Sequence, residues 1–315
     1  MHLKNILFFS DTINNVSELP YQEELTKHGL SLFCNPIRYD KELSLEETLL
    51  VADTKTGVSY AVHNQIPYIE KWTEAQMSAS SFKPVCYYDD ILSLNYGYLE
   101  NQWRRAHHLP LTIATTSRIH LRELTLEDIP VLYQIRREES ISKVLPPLDS
   151  LEVELEKHRH YITCQYEFFD YGLWGIFLLD GTLIGQAGIE NMEYNGNTML
   201  ELSYLISTKY QRQGYATETI LAIYDYVIKF LESNQIATRI AKNNLPSIRT
   251  AMNLGMKRKE STLHCGFQCN YYVQENIHDF LIFYESEQKR RKAAKSAFQS
   301  ARKNPVQKVY GRYFK

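Results

Sequence analysis

The segment Glu201-Leu-Ser-Tyr-Leu-Ile-Ser-Thr-Lys-Tyr-Gln211-Arg-Gln-Gly214-Tyr-Ala216-Thr-Glu-Thr-Ile has the residue types and spacing to hold an anion. A strand-like apolar run enters a tight loop at Gly214. That loop opens a helix whose apolar positions Ile220, Ile223, Val227 and Leu231 recur at three- or four-residue steps. Backbone N–H groups at a helix N-terminus lack partners and point outward, and the helix dipole adds roughly 0.3–1 kcal/mol for an anion. Gly214 lets the backbone approach such a group, small Ala216 keeps the closest point clear, and Arg212 could add a direct charge. Taken alone, the pattern also suits an ordinary strand-to-helix turn.

The elements that must position this loop follow from the pattern along the chain. From Met1 to about Pro110, short apolar runs at Asn5–Phe9, Leu30–Phe33, Thr48–Ala52, Ile66–Ile69 and Pro84–Tyr88 read as strands. Segments of helical length, Glu18–His28, Gly57–Asn64 and Gly97–His108, lie between them. Strands alternating with helices imply a small α/β layer with a mostly parallel sheet. From Arg118 to about Glu285 the order changes. Arg118–Arg122 alternates like a strand, Thr125–Asp128 resembles a capped helix start, and Leu151–Tyr166 is helical. Asp180-Gly181 turns Leu173–Leu179 into Leu183–Ile189, and Asn195-Gly196 leads into Met199–Ile206. Helices at Ala216–Leu231 and Pro246–Leu254, with strands at Thr238–Ala241, Lys257–Glu260 and Asp279–Tyr284, complete an α+β order. The expected organisation is an α/β domain over 1–112, an α+β domain over 113–286 and a basic tail over 287–315.

Composition bounds the function. The 315 residues, 44% of them apolar, suffice for about two domains with full-sized cores. Thirty-five Lys and Arg against 37 Asp and Glu argue against a strongly basic nucleic-acid binder. The basic residues do concentrate from Gln288 onward, with Lys289, Arg290, Arg291, Lys292, Lys295, Arg302 and Lys303, as a solvated helix or an arm for RNA or another acidic partner. The early apolar stretch Ile6–Phe9 is far too short for a membrane span or a signal-peptide core. An odd count of five scattered cysteines suits reduced thiols, so a cytoplasmic protein is expected. Around His158-x-His160 and His107-His108 no Cys, Asp or Glu completes a metal spacing, and no metal is expected.

Gln211-Arg-Gln-Gly214-Tyr-Ala216 resembles the Gln/Arg-x-x-Gly-x-Gly/Ala acetyl-CoA pyrophosphate loop of the GNAT acetyltransferases. Arg118-Ile-His-Leu-Arg-Glu-Leu-Thr-Leu-Glu-Asp resembles that family's first strand and helix start, and Asp180-Gly181-Thr-Leu-Ile-Gly185 its central hairpin. Asn244-Leu-Pro-Ser247 with Gly255 resembles its second coenzyme segment, and Glu201-Leu-Ser-Tyr is similar to the ribosomal-protein-alanine N-acetyltransferase branch. Two positions depart from the family pattern: Met256 stands in place of a Phe, and Ala251 where many members carry a catalytic Tyr. The resemblance implies a GNAT acyl-CoA N-acyltransferase fold, to which the strand–helix alternation before it adds an N-terminal α/β domain. It also implies acetyl transfer from acetyl-CoA to a primary amine, on a protein N-terminus or a small molecule.

By the same resemblance, the backbone N–H of Leu205 would face the thioester carbonyl, with Ile206 and Ser207 along the pantetheine arm. The amides of Gln211, Arg212, Gln213, Gly214, Tyr215 and Ala216 would hold the pyrophosphate, with Thr217 on the first helical turn. Asn244 would bond pantetheine. Glu201, on a mainly apolar strand that should raise its pKa, is the expected base, and Glu190 is the alternative. Ser247 would either bond the leaving sulfur or cap the helix that begins near Asn244.

At the N-terminus, Ile6-Leu-Phe-Phe-Ser-Asp11-Thr12 and Leu50-Val-Ala-Asp53…Gly57…Ile66-Pro67 resemble stretches of haloacid-dehalogenase-like phosphatases. Their Asp-x-Asp pair is absent, which leaves a degenerate scaffold or an acceptor-recognition domain. The rival class for the whole chain is a non-catalytic acyl-CoA-binding or RNA- or protein-docking module on the same fold.

Overall fold

A computed structural model describes residues 2–36, 43–73 and 82–303 of the chain. The chain divides into two compact units, Met1–Leu111 and Thr112–Lys315.

In the first unit, β1 (Asn5–Phe9), α1 (Gln22–Lys27), β2 (Ser31–Cys34), β3 (Thr48–Ala52), α2 (Lys55–Asn64), β4 (Tyr68–Lys71), β5 (Tyr87–Tyr88) and α3 (Tyr96–Ala106) follow one another. The strands pair in the order β2-β1-β3-β4-β5, all parallel. Central strands covered on both faces must be apolar throughout, and β1 and β3 are buried along their whole length. Gly57 lets α2 lie close on the sheet, since a Cβ there would stand 2.4 Å from that of Phe9.

The second unit begins with β6 (Thr112–Thr115), β7 (Ile119–Arg122), α4 (Ile129–Arg136), α5 (Glu139–Ser142) and α6 (Leu151–Tyr161). Then come α7 (Glu167–Phe169), β8 (Leu173–Leu178), β9 (Leu183–Tyr194), β10 (Asn197–Ile206) and α8 (Tyr215–Leu231). It ends with β11 (Ile236–Ala241), α9 (Leu245–Asn253), β12 (Lys257–His264), β13 (Phe267–Gln274) and α10 (Ile277–Lys303). One sheet runs β12-β13-β11-β10-β9-β8-β7-β6. Side-chain alternation divides its core between two faces. On one, Ile184, Ile189 and Leu202 meet Ile220, Ile223, Tyr224 and Val227 of α8, and each fully buried side chain there contributes roughly 1.5–3 kcal/mol. On the other, Phe177 and Leu183 meet Ile129, Leu132 and Ile135 of α4.

The decisive feature is a split between β10 and β11. β10 pairs with β9 antiparallel along its whole length, from Asn197 to Ile206. With β11 it runs parallel and touches at one pair, Glu201 with Ala237. Beyond that pair the two strands diverge, and the outer half of β10 has a backbone edge that β11 does not cover.

Two expectations are corrected here. Asp279–Tyr284 is not a strand but the start of α10. Asn276 and Asn234 receive the N–H groups of Asp279 and His278, and Ile277, Phe280 and Leu281 recur at helical spacing against the core. The basic residues from Gln288 therefore continue this helix instead of starting a separate tail, and those past Lys303 lie outside the described residues. The strand Phe267–Gln274 went unread because its turn is Cys265-Gly266, both with positive φ, where a hairpin usually shows Asn-Gly or Asp-Gly. No described helix is long and apolar enough to cross a membrane.

Candidate active site

The loop after β10 is built from two left-handed residues, Arg212 at φ +61° and Gly214 at φ +86°. Gly214 is the N-cap of α8 and brings no side chain to it, so no capping bond closes the first turn. The N–H groups at this turn are open to an anion. Gln211 donates its side-chain amide to Ile206 O at 2.9 Å and Gln213 to Lys209 O at 3.1 Å, so both shape the loop itself. Arg212 is exposed.

A residue that the sequence marked only as part of a strand proves central to this loop. Arg118 donates to Gln213 O at 3.0 Å and to Glu218 at 2.7 Å, and its guanidinium lies 4.5 Å over the Tyr215 ring. It ties the loop to α8. The only signal was a charged residue at the end of an apolar run, which is too common to read.

The uncovered edge of β10 shifts the expected donor by one residue. Ser207 donates its N–H to Ile184 O at 2.8 Å, across to β9. Period-two alternation in an unbroken ladder turns the amide of Leu205 to β9 as well. Tyr204 and Ile206 then carry the N–H groups on the open edge, and Leu205 does not. Ser207 is closed to a ligand too: it is buried, and its hydroxyl donates to Glu138 at 2.7 Å. Burial pushes the Glu138 carboxyl up, but hydrogen bonds from Thr208 and Ser207 outweigh it and hold the group below the usual carboxylate range.

Across the split, Asn244 accepts the Ser247 N–H at 3.3 Å and caps α9. Ser247 is thus the capped residue, not the cap. Its carbonyl accepts the Tyr204 hydroxyl at 3.3 Å. Ala251 and Met256 are buried in the core beside it.

Glu190 and Glu201 stand directly opposite each other on β9 and β10. Glu201 lacks the apolar surroundings expected of it. Arg239 binds both its oxygens, Nε at 2.7 Å from one and Nη2 on the other, and Arg239 Nη1 lies 2.9 Å from His264 Nδ1. Burial, then the Arg239 charge, push the His264 imidazole down, which favours the neutral ring beside Arg239. Glu190 has the environment that the sequence assigned to Glu201. Burial raises its carboxyl above the ordinary value; the Tyr161 hydroxyl, donating at 2.9 Å, pulls the other way, and the charge of Glu201 pushes it further up. Tyr161 ends α6, where the helix widens into a π-helical segment, Ile162–Tyr166.

In the first unit, Asp53 lies at the carboxyl ends of β1 and β3, where open α/β sheets bind ligands. Its carboxylate accepts the Asp11 N–H at 2.9 Å, the Thr12 hydroxyl at 2.9 Å and the Ser10 hydroxyl. The donors that would cradle a phosphate are satisfied by the protein itself. Among the described residues no group of three or more His, Cys, Asp or Glu is arranged to hold a metal ion.

Residues 118–257 match the family model described as "Acetyltransferase (GNAT) domain". An uncharacterized N-acetyltransferase of Bacillus subtilis (strain 168), YnaD, is 26% identical over 146 residues, covering 46% of this chain and 82% of that protein. An uncharacterized protein of the same bacterium, YkkB, is 32% identical over 76 residues, or 24% of this chain and 44% of that one. The solved structure of an acetyltransferase from Agrobacterium tumefaciens (strain C58) aligns at 22% identity with a TM-score of 0.44, covering 51% of this chain and 92% of that one. Residues 118–257 of the second unit thus match an acetyltransferase domain of the GNAT family, a family that uses acetyl-CoA, and these similarities support an enzyme of the N-acetyltransferase type.

Proposed function

We propose that the chain transfers acetyl from acetyl-CoA to a primary amine by direct attack on the thioester, with Glu190 as base. The observation that carries this reading is the divergence of β10 from β11 beyond Glu201, leading straight into an uncapped helix. The amides from Arg212 to Ala216 and the first turn at Thr217 would hold the pyrophosphate, with the Arg212 side chain beside them; the Gln211 N–H, expected among them, is taken by Thr208 O at 3.3 Å. Tyr204 and Ile206 N–H on the open edge would meet the arm and its carbonyl, and the Asn244 amide would meet the arm from the opposite side. Donors placed where the oxyanion develops lower the barrier without reorganising. The nitrogen–carbon bond forms and the carbon–sulfur bond breaks with its electron pair on sulfur. The amine's proton goes to Glu190, and the thiolate takes one from water. A carboxyl held above its ordinary pKa is the stronger base, which favours Glu190 over the ion-paired Glu201.

The acceptor is an amine of a protein N-terminus, as in the ribosomal-protein branch, or of a small molecule. The exposed run Lys289, Arg290, Arg291 and Lys292 on α10 would steer the enzyme to an acidic partner such as RNA. Mixing the full chain with acetyl-CoA and a panel of amines, and following free thiol, tests the activity. Thiol release that depends on the amine supports it, and none with any amine contradicts it. RNA binding that does not weaken between low and high salt would contradict the steering.

A further inference from the structure

The part-buried arginines of the second unit differ in how many of their donors are used. Arg122 bonds both oxygens of Asp128, at 2.8 and 3.0 Å. Arg118 and Arg239 each have a carboxylate and a second partner. Arg136, its side chain 26% exposed, makes one contact among the described residues, Nη1 to Glu154 at 3.3 Å. Glu154 is shared with Lys157 at 2.8 Å, which also holds Asp149 at 2.6 Å. A guanidinium has five N–H donors, and burying them unpaired is costly. Desolvation lowers the pKa of Arg136, and Glu154 alone opposes it.

These free donors line a cavity of about 160 Å³ between α4 and α6. Leu132, Leu148 and Leu173 form apolar walls, and Tyr161 and Gln186 add polar groups. The volume lies below the roughly 300–1,000 Å³ of sites for drug-sized ligands, so the occupant is small. Tyr161 links the cavity to the chemistry, because its hydroxyl donates to Glu190.

We propose that this cavity binds the acceptor, and that the acceptor is a free amino acid with an apolar side chain. Its carboxylate pairs with the Arg136 fork, which suits bidentate recognition. Its side chain lies against the leucines, and its amine is left for the Tyr161–Glu190 side. This rests on the transferase reading above and narrows it.

The test compares leucine with leucinamide as acceptors of the full chain, by thiol release, in wild type and Arg136→Gln. The ratio of kcat/KM for leucine to that for leucinamide should fall at least tenfold in the variant, with acetyl-CoA affinity unchanged. An unchanged ratio in the folded variant overturns the assignment. If Arg136→Gln does not fold, Arg136→Lys keeps the charge and loses the fork, and an unchanged ratio there overturns it equally. If no amine releases thiol, the transferase reading fails while the site can still be judged by calorimetry. Leucine binding that weakens at least tenfold in Arg136→Gln supports it, and no leucine binding to wild type overturns it.

Discussion

The turn into α2 and the turn into α8 both carry the carboxyl end of a strand into a helix, where backbone N–H groups lack partners. In the first unit the chain closes the turn: Thr54 accepts the Gly57 N–H at 3.1 Å, and Asp53 gathers the donors of Ser10, Asp11 and Thr12. In the second unit Gly214 occupies the cap position, and no side chain among the described residues caps the turn behind it. One turn is capped by the Thr54 hydroxyl, with the Asp53 carboxylate beside it holding the loop after β1; the other has no side-chain cap. Binding capacity here is a matter of which donors are left over, more than of fold class, since both units offer a helix N-terminus after an interior strand of the sheet.

The contrast can be broken at several points. The largest effect should come from the chemistry at the open site. Glu190→Gln should lower turnover near neutral pH on the order of 10²-fold or more, because it removes the base and keeps the shape. The acidic limb of the wild-type pH profile should lie above the ordinary carboxylate range, since activity requires Glu190 ionised and its carboxyl is raised. That limb should vanish in the variant, and the loss should shrink at high pH, where the amine is already neutral. Glu201→Gln should cost less turnover and keep the limb; a limb lost only with Glu201 would reverse the assignment.

In the closed turn, Asp53→Ala strands three donors and should cost about 1–3 kcal/mol of stability in urea unfolding, with no change in acetyl-CoA affinity. A loss of acetyl-CoA affinity would show that the first unit is part of the coenzyme site. The smallest effect should be Ser247→Ala, under about threefold in turnover, or less than 1 kcal/mol of barrier. Tyr204 reaches the Ser247 carbonyl, and Asn244 caps its N–H; both survive the substitution. A tenfold loss would return the hydroxyl to the chemistry.

What the sequence made legible was local. Asp180-Gly181 and Asn195-Gly196 announce the β8–β9 and β9–β10 turns, and the apolar spacing from Ile220 to Leu231 announces α8. The loop at Gly214 was legible because its backbone demands a residue tolerant of φ +86°. Glu190 and Glu201 were found as a pair, but the environment expected of Glu201 belongs to Glu190, because what separates them is Arg239, 38 positions from Glu201 in sequence. Arg118, 95 positions from Gln213, was invisible as a loop residue for the same reason. Pairings between distant segments set the electrostatics of this site, and no local pattern encodes them. Asp279–Tyr284 misled because Phe280, Leu281, Phe283 and Tyr284 suit a strand by type, and only packing against α8 makes them helical.

The central claim is that the open turn at Gly214 holds acetyl-CoA. Calorimetric titration of acetyl-CoA into wild type and Gly214→Val tests it most directly. A branched side chain at φ +86° strains the loop, and its Cβ would stand 3.5 Å from the Arg118 guanidinium that ties the loop to α8. The account predicts at least tenfold weaker binding in the variant, about 1.4 kcal/mol, with the fold retained. Unchanged affinity in a folded Gly214→Val protein would contradict it.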